Sequence, residues 1–159
     1  MVRSAVAKPS DYVRTSELFR ADALAPDVRA ELNEFAAKVG AEIDLAATHA
    51  GVRTVATAAG KGGLLRRKVV PVEQHALITD RHLVIVTLRD GQQINSIYRL
   101  DSIDVTDFNS TLIEDVGLEI TGVMVGGSDR GTAFLGLDHG SAGSAFRQTL
   151  LDAARPAAR

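Results

Sequence analysis

The chain has 159 residues, of which 45% are hydrophobic and 24% charged, a composition typical of one globular domain with its own core. The formal net charge of −2 argues against a nucleic-acid-binding protein, and the absence of cysteine excludes disulfides, thiol catalysis and cysteine-ligated zinc. The longest strongly apolar run, residues 83–86, is far too short to span a bilayer, and the first ten residues lack the apolar core of a signal peptide. We therefore expect a cytoplasmic protein.

Residues 1–50 predict a helical extension. From Pro26 to about residue 50 the large apolar side chains recur at intervals of three and four residues, as on one face of a helix. This face consists of Val28, Leu32, Phe35, Val39 and Ile43. Gly40 interrupts the pattern and either separates two helices or is tolerated within one. A shorter helix is predicted before it, over residues 15–24.

The apolar face of the longer helix has to be buried, and two locations are open. The face packs either on the outside of the remaining domain or against a partner, which includes a second copy of the chain. The sequence alone does not separate the two.

From about residue 51 onward the pattern changes to short strands. β-Branched and alternating apolar residues predict strands near residues 52–56, 68–72, 75–79, 83–88, 94–100, 103–108, 118–120, 123–125 and 133–137. Asp90 and Gly91 predict a tight hairpin turn, because both central residues of that turn type adopt positive φ. Short strands without intervening helices predict an antiparallel barrel or sandwich.

The last predicted element is an amphipathic helix. Ser141 or Ser144 is expected to cap its N-terminus, and Pro156 to stop it. Its apolar face consists of Phe146, Leu150 and either Ala153 or Ala154. The chain thus divides into an extension (1–50), a β-rich domain with its helix (51–155) and a short tail (156–159).

Several segments in this order resemble the pleckstrin-homology-like superfamily, and in particular bacterial PH and GRAM-type domains. The main one is ALITDRHLVI at residues 76–85, where a strand ends in Thr-Asp, a basic turn follows and an apolar strand begins. The others are YRLDSIDV at 98–105, GLEI at 117–120, FLGL at 134–137 and FRQTLL at 146–151. The resemblance covers about residues 51–155. It implies a seven-stranded antiparallel barrel whose open mouth is closed by the C-terminal helix, with Phe146 where signalling members carry Trp.

The charges are separated along the chain. Residues 45–72 contain no acid and five bases, whereas residues 100–120 contain six acids and no base. The bases include Lys61, Arg66, Arg67 and Lys68. The resemblance places these four in the connection between the first two barrel strands, where lipid-binding members hold phosphoinositide phosphates with Lys and Arg. The alternative is a solvated loop beside a strand.

The remaining motifs favour structural roles. Gly60-Lys61 imitates half of a phosphate-binding loop, but Val55 and Gly62 replace the first glycine and the hydroxyl residue that the motif requires. Asp80 and His82 are expected to bond locally within a turn. The run Asp138-His139-Gly140-Ser141 contains an acid, a base and a hydroxyl, but neighbours in sequence do not form a catalytic triad. Asp101, Asp104 and Asp107 are spaced by three, which places neighbouring members on opposite faces of a strand and does not favour a shared cation site. No cofactor or metal is predicted.

These observations predict a non-enzymatic PH-like binding or scaffold module. Its loops and an exposed sheet edge are expected to contact a protein partner or a second copy of the chain, and not nucleic acid. One alternative is peripheral binding of anionic lipid headgroups at the inner membrane face through the basic loop 60–68. The other is an enzyme whose catalytic residues the sequence does not reveal.

Overall fold

The computed structural model describes residues 8–9, 12–58, 70–108 and 113–154. Its strands and α-helices are β1 (Lys8–Pro9), β2 (Tyr12–Leu18), α1 (Pro26–Val39), β3 (Ala50–Ala58), β4 (Val72–Ile78), β5 (His82–Arg89), β6 (Gln92–Arg99), β7 (Asp104–Asp107), β8 (Ile113–Glu114), β9 (Gly117–Val123), β10 (Arg130–Gly136) and α2 (Ser141–Ala153). Short 3-10 turns occur at Ala21–Ala23, Leu45–Ala47 and Leu100–Ser102. The predicted fold class, mainly antiparallel β with helices and a C-terminal helix, is confirmed.

Two antiparallel sheets form the body of the protein. Five strands pair in the order β2-β3-β4-β5-β6, and three pair in the order β10-β9-β7. β1 and β8 form a separate two-residue parallel pair. The two larger sheets meet at an isolated bridge between Tyr98 and Met124, beside which the Val125 N–H donates to the Ile97 carbonyl at 2.8 Å. The ladders among the described strands therefore do not close into a barrel.

The main core lies between the two sheets. Alternate side chains of β4 and β5 point inward, so that Ile78, Leu83 and Ile85 meet Leu118, Ile120 and Leu135 of the smaller sheet. Helix α2 covers the side of this core next to β2 and β3, as the contacts between these elements show. Phe146 and Leu150 are fully buried there, as predicted, and Ala154 packs beside them.

Helix α1 covers the opposite, outer face of the larger sheet. Leu32 and Ala36 are buried against Leu77, Val84 and Ile97. The other members of the predicted apolar face, Val28, Phe35, Val39 and Ile43, are half-buried in the same cluster. The apolar face of α1 is therefore packed against the larger sheet of the same chain. Gly40 ends the helix with a left-handed φ of 73°, which glycine adopts without strain.

Three of the local predictions differ from the structure. Residues 15–24 contain no α-helix, because residues 12–18 extend the larger sheet by pairing with β3. Neither Ser141 nor Ser144 caps α2, since Gly140 occupies the N-cap position without a side-chain bond. Within the predicted strand over residues 68–72, Val70 and Pro71 belong to no strand and β4 begins at Val72, while residues 68–69 lie outside the described part.

The β5–β6 hairpin follows its prediction closely. Asp90 and Gly91 have φ values of 50° and 72°, and Arg89 pairs with Gln92 on either side of them. This two-residue turn fixes the register of the whole hairpin. In the described part of the chain, no helix is both long and apolar enough to cross a bilayer.

Candidate functional site

Strand β6 forms one edge of the larger sheet, and part of that edge is open. The Ile97 carbonyl points away from β5, because it accepts the Val125 N–H. Backbone groups of alternate strand residues point to the same side, so those of Gln93 and Asn95 also point away from β5. No described residue makes a hydrogen bond to these backbone groups. The edge therefore presents two N–H and two C=O groups for pairing.

The side chains along this open edge carry no charge. Residues 92–96 read Gln-Gln-Ile-Asn-Ser, and Ile94 between the two open residues is 58% exposed. Gln93 is held in place, since its amide donates to the Val28 carbonyl of α1 at 3.0 Å and to Asn95 Oδ1 at 2.9 Å. Exposed strand edges in natural proteins usually carry Lys, Pro or a bulge that prevents pairing. This edge carries none of them.

The edge of β2 is covered, in contrast to that of β6. The Ser16 N–H donates to Asp138 Oδ2 at 2.9 Å, and the Asp138 N–H donates to Ser16 Oγ at 3.0 Å. Arg14 makes two 2.8 Å bonds to the Asp115 carboxylate, and both side chains are mostly buried.

The edges of the smaller sheet are also protected. The Gln74 carboxamide bonds the edge of β10, accepting from the Gly136 N–H at 3.0 Å and donating to the Phe134 carbonyl at 3.1 Å. β7 carries the charged residues Asp104 and Asp107. Charges on an edge strand oppose pairing with a further strand.

Four of the predicted site residues, Lys61, Arg66, Arg67 and Lys68, lie outside the described residues, as does the half-motif at Gly60 and Gly62. The fifth base of that segment, Arg53, is engaged on the outer face of β3. Its Nε donates to Glu73 at 2.6 Å and its Nη1 to Glu17 at 2.8 Å. Bonding to Glu73, and secondarily to Glu17, raises the pKa of Arg53. Arg53 is thus part of an ion-pair network.

A buried histidine completes this network. His75 Nε2 lies 2.9 Å from Glu73 Oε1, and the ring of Phe19 covers the imidazole at a centroid distance of 4.5 Å. Burial lowers the pKa of His75, although Glu73 acts in the opposite direction. Sequence reasoning missed this group. The only signal was a histidine inside a strand, two residues from an acid.

The turn at residues 79–82, within the segment that resembles PH-like domains, does not contain the predicted contact between Asp80 and His82. Asp80 pairs with His49 and not with His82. Thr79 closes the turn instead, because its hydroxyl accepts the His82 N–H at 3.2 Å. Burial, and secondarily Arg99, lowers the pKa of His82. A cavity of about 290 Å³ next to this turn is lined by Glu42, Asp44, Ala47, Thr79, Asp80, Arg81 and His82.

In addition to Asp115, which pairs with Arg14, three acids of residues 100–120 are paired with arginines. Asp101 bonds Arg99 at 2.6 Å, Asp104 bonds Arg130, and Asp107 makes a two-point contact with Arg147 at 2.7 and 2.8 Å. These three pairs are exposed and together contribute little stability. They do neutralise the acidic segment locally.

The Asp138-His139-Gly140-Ser141 segment has no triad geometry. The Asp138 carboxylate accepts backbone N–H groups of Ser16 and Gly140, which fixes the start of α2. In the described ranges no group of three or more potential ligands has the arrangement that a metal ion needs. A scan of protein-family models and searches of curated proteins and solved structures found no match to this chain.

Proposed function

We propose that this protein is a non-enzymatic, PH-like binding module whose incompletely closed barrel pairs an extended peptide segment with the edge of β6. The observation that carries the proposal is the open, uncharged edge at Gln93 and Asn95 beside the exposed Ile94. Adding a strand to a sheet edge obtains affinity from main-chain hydrogen bonds and specificity from alternate side chains. The partner is therefore a protein segment with an apolar residue that packs on Ile94.

The geometry limits the length of the paired segment. Val125 already occupies the edge at Ile97, so an added strand ends opposite Ser96. A second copy of β6, paired antiparallel about Ile94, would bring its own Gly91 opposite Ile97 and into the position of Val125. A free peptide meets no such obstacle. This favours a peptide segment over self-association through this edge.

The decisive change removes one outward N–H without touching the β5–β6 ladder. Because the Asn95 N–H points away from β5, Asn95→Pro deletes a donor of the open edge only, and proline is tolerated on such edges. Asn95→Ala is the matched control, since it loses the side chain and keeps the donor. Ile94→Lys tests the apolar contact, and Val13→Lys places the same charge at another exposed apolar position, 54% exposed on β2.

The experiment selects peptides from a displayed random library on the wild-type protein and measures their Kd for each variant. We expect Asn95→Pro and Ile94→Lys to weaken binding by about tenfold or more, equivalent to ~1.4 kcal/mol. Asn95→Ala and Val13→Lys should retain the wild-type Kd within about twofold, well under 1.4 kcal/mol. Equal affinity for the Pro and Ala variants, or a selection without binders, would refute the proposal. A concentration-dependent dimer that Asn95→Pro abolishes would reassign the edge to self-association.

A second candidate function rests on the basic segment. Since Arg53 is engaged by Glu17 and Glu73, the bases available to an anionic surface are those of residues 61–68. Each basic residue near an anionic membrane contributes about 1 kcal/mol. Pelleting with acidic vesicles at low salt should then fall sharply when Lys61, Arg66, Arg67 and Lys68 are changed to Ser. The matched control changes the exposed Arg20, Lys38, Arg81 and Arg89 to Ser. Equal loss in both variants, or no pelleting of the wild type, removes this candidate.

A further inference from the structure

His75 lies on the outer face of β4, where its side chain is shielded from solvent. The residue is 5% exposed, and the Phe19 ring lies over it at an interplanar angle of 56°. Nε2 bonds the Glu73 carboxylate, while Nδ1 is buried and has no hydrogen-bond partner among the described residues. One ring nitrogen is thus paired and the other is not.

This arrangement fixes the protonation state of the closed form. An ionised carboxylate only accepts hydrogen bonds, so Nε2 carries the hydrogen and Nδ1 keeps its lone pair. A second proton would have to bind at Nδ1. It would create a buried N–H without an acceptor, and an unpaired buried donor is costly. The closed form therefore holds neutral histidine.

The charged groups around the ring come from three strands. Glu73 lies on β4 itself, Arg53 lies opposite on β3, and Glu17 lies opposite Arg53 on β2. The two carboxylates favour a protonated ring and Arg53 opposes it, but both carboxylates are already bonded to Arg53. β5 places the apolar Val86 opposite His75. Desolvation is the largest influence, and it holds the pKa of His75 below its usual range.

The Phe19 ring is the aromatic group that packs on His75. The residue is tied to the sheet by one hydrogen bond, from its N–H to the Gly51 carbonyl at 3.0 Å. Phe19 also lines a cavity of about 510 Å³ together with Arg20, Asp22, Thr48 and His49. Displacement of the Phe19 ring would connect His75 to water in that cavity.

We propose that Phe19 and His75 form a pH-sensitive cover, in which protonation of His75 at Nδ1 in mildly acidic solution releases Phe19 from the sheet. With the ring uncovered, the new N–H donates to water. The ordinary pKa of histidine is about 6.5, so the open form gains population as the pH falls below that value. The ratio of open to closed forms rises by up to about tenfold per pH unit until the closed form also takes the proton.

The test measures hydrogen exchange of the Phe19 amide by NMR between pH 7.5 and 5.0, corrected for the intrinsic exchange rate. We expect the protection factor of Phe19 to fall by up to about tenfold per pH unit below pH 6.5. The amide of Leu83 in the main core should not follow this change. His75→Gln should remove the pH dependence, and His49→Gln, at an exposed histidine, should retain it.

Three results would contradict the proposal that Phe19 and His75 form a pH-sensitive cover. These are a Phe19 protection factor that does not change with pH, the same pH dependence in His75→Gln, and loss of the dependence in His49→Gln alone. If His75→Gln does not fold, Phe19→Leu provides the second measurement. The smaller leucine side chain should bring the pKa of His75 toward about 6.5, as measured by the NMR signals of its ring protons. An unchanged His75 titration in Phe19→Leu would equally contradict the proposal.

Discussion

Replacing Gln74 tests how the two sheets are held together where β4 faces β10. The side chain is 9% exposed, and its carboxamide bonds the Gly136 N–H at 3.0 Å and the Phe134 carbonyl at 3.1 Å. A third contact, to Thr87 Oγ1 at 3.3 Å, is longer and weaker. No backbone ladder joins β4 to β10, so this one side chain substitutes for the missing strand pairing.

The magnitude follows from the groups that Gln74→Leu leaves without a partner. A buried polar group that loses its hydrogen bond costs about 1–3 kcal/mol. The Gly136 N–H is buried and the Phe134 carbonyl partly buried, which makes the loss about 3 kcal/mol. Leucine regains about 1 kcal/mol through its apolar surface. The free energy of unfolding should therefore fall by about 2 kcal/mol, equivalent to roughly 4–8 °C in Tm.

Gln74→Glu provides a sharper second variant. It keeps an acceptor for the Gly136 N–H but places a carboxylate oxygen against the Phe134 carbonyl, and burial raises the pKa of such an acid. A folded-state pKa above the unfolded value means that stability is lost as the pH rises through it. Relative to wild type at each pH, Gln74→Glu should be less stable at pH 8 than at pH 5, while Gln74→Leu shows no such trend.

Urea unfolding at both pH values measures these differences. The interpretation of Gln74 as the link between the sheets fails if Gln74→Leu unfolds within about 0.5 kcal/mol of the wild type, the range of an ordinary surface substitution. A pH-independent penalty in Gln74→Glu would show that the carboxylate reaches solvent. In that case the seam between β4 and β10 would be open to water.

Two further substitutions test the packing of the domain. Phe146→Ala truncates a fully buried side chain of α2 and should cost about 3–5 kcal/mol, so an unchanged denaturation midpoint would contradict its place in the core. Gly136→Ala adds a Cβ only 2.4 Å from Arg14 Nη1, which displaces Arg14 from Asp115 and should lower stability by about 2–3 kcal/mol in urea unfolding. Gly131→Ala on the same strand meets nothing within 4 Å and should remain within about 0.5 kcal/mol of wild type.

The sequence predicts the strands of the larger sheet where side chains alternate and a turn is unambiguous. β4 and β5 carry dense apolar residues, and the Asp90–Gly91 turn fixes where β6 begins, so the positions of these strands follow from local patterns. β2 does not, because its inward residues include Arg14 and Ser16. Their partners Asp115 and Asp138 lie more than one hundred residues away in the chain. No local pattern indicates pairings of that range.

The open edge illustrates the same limit for the functional site. The uncharged run at residues 92–96 is visible in the sequence, and an exposed sheet edge is among the predicted binding features. Which edge stays open depends on where the chain after β9 meets β6. That contact is made by Val125 at Ile97 and then lost, since Gly126 follows with a φ of 86° and turns the chain away. A contact between distant segments thus decides the length of the open edge.

The charge separation along the sequence has a different meaning once the ion pairs are known. Three acids of residues 100–120 are neutralised by arginines, as is Asp115 by Arg14 from the other end of the chain. Arg53 likewise forms ion pairs with Glu17 and Glu73. The acidic segment therefore offers little attraction to a basic partner. The lipid alternative therefore depends on the four bases Lys61, Arg66, Arg67 and Lys68. Replacing them tests lipid binding separately from peptide pairing at β6, because the edge residues of β6 carry no charge.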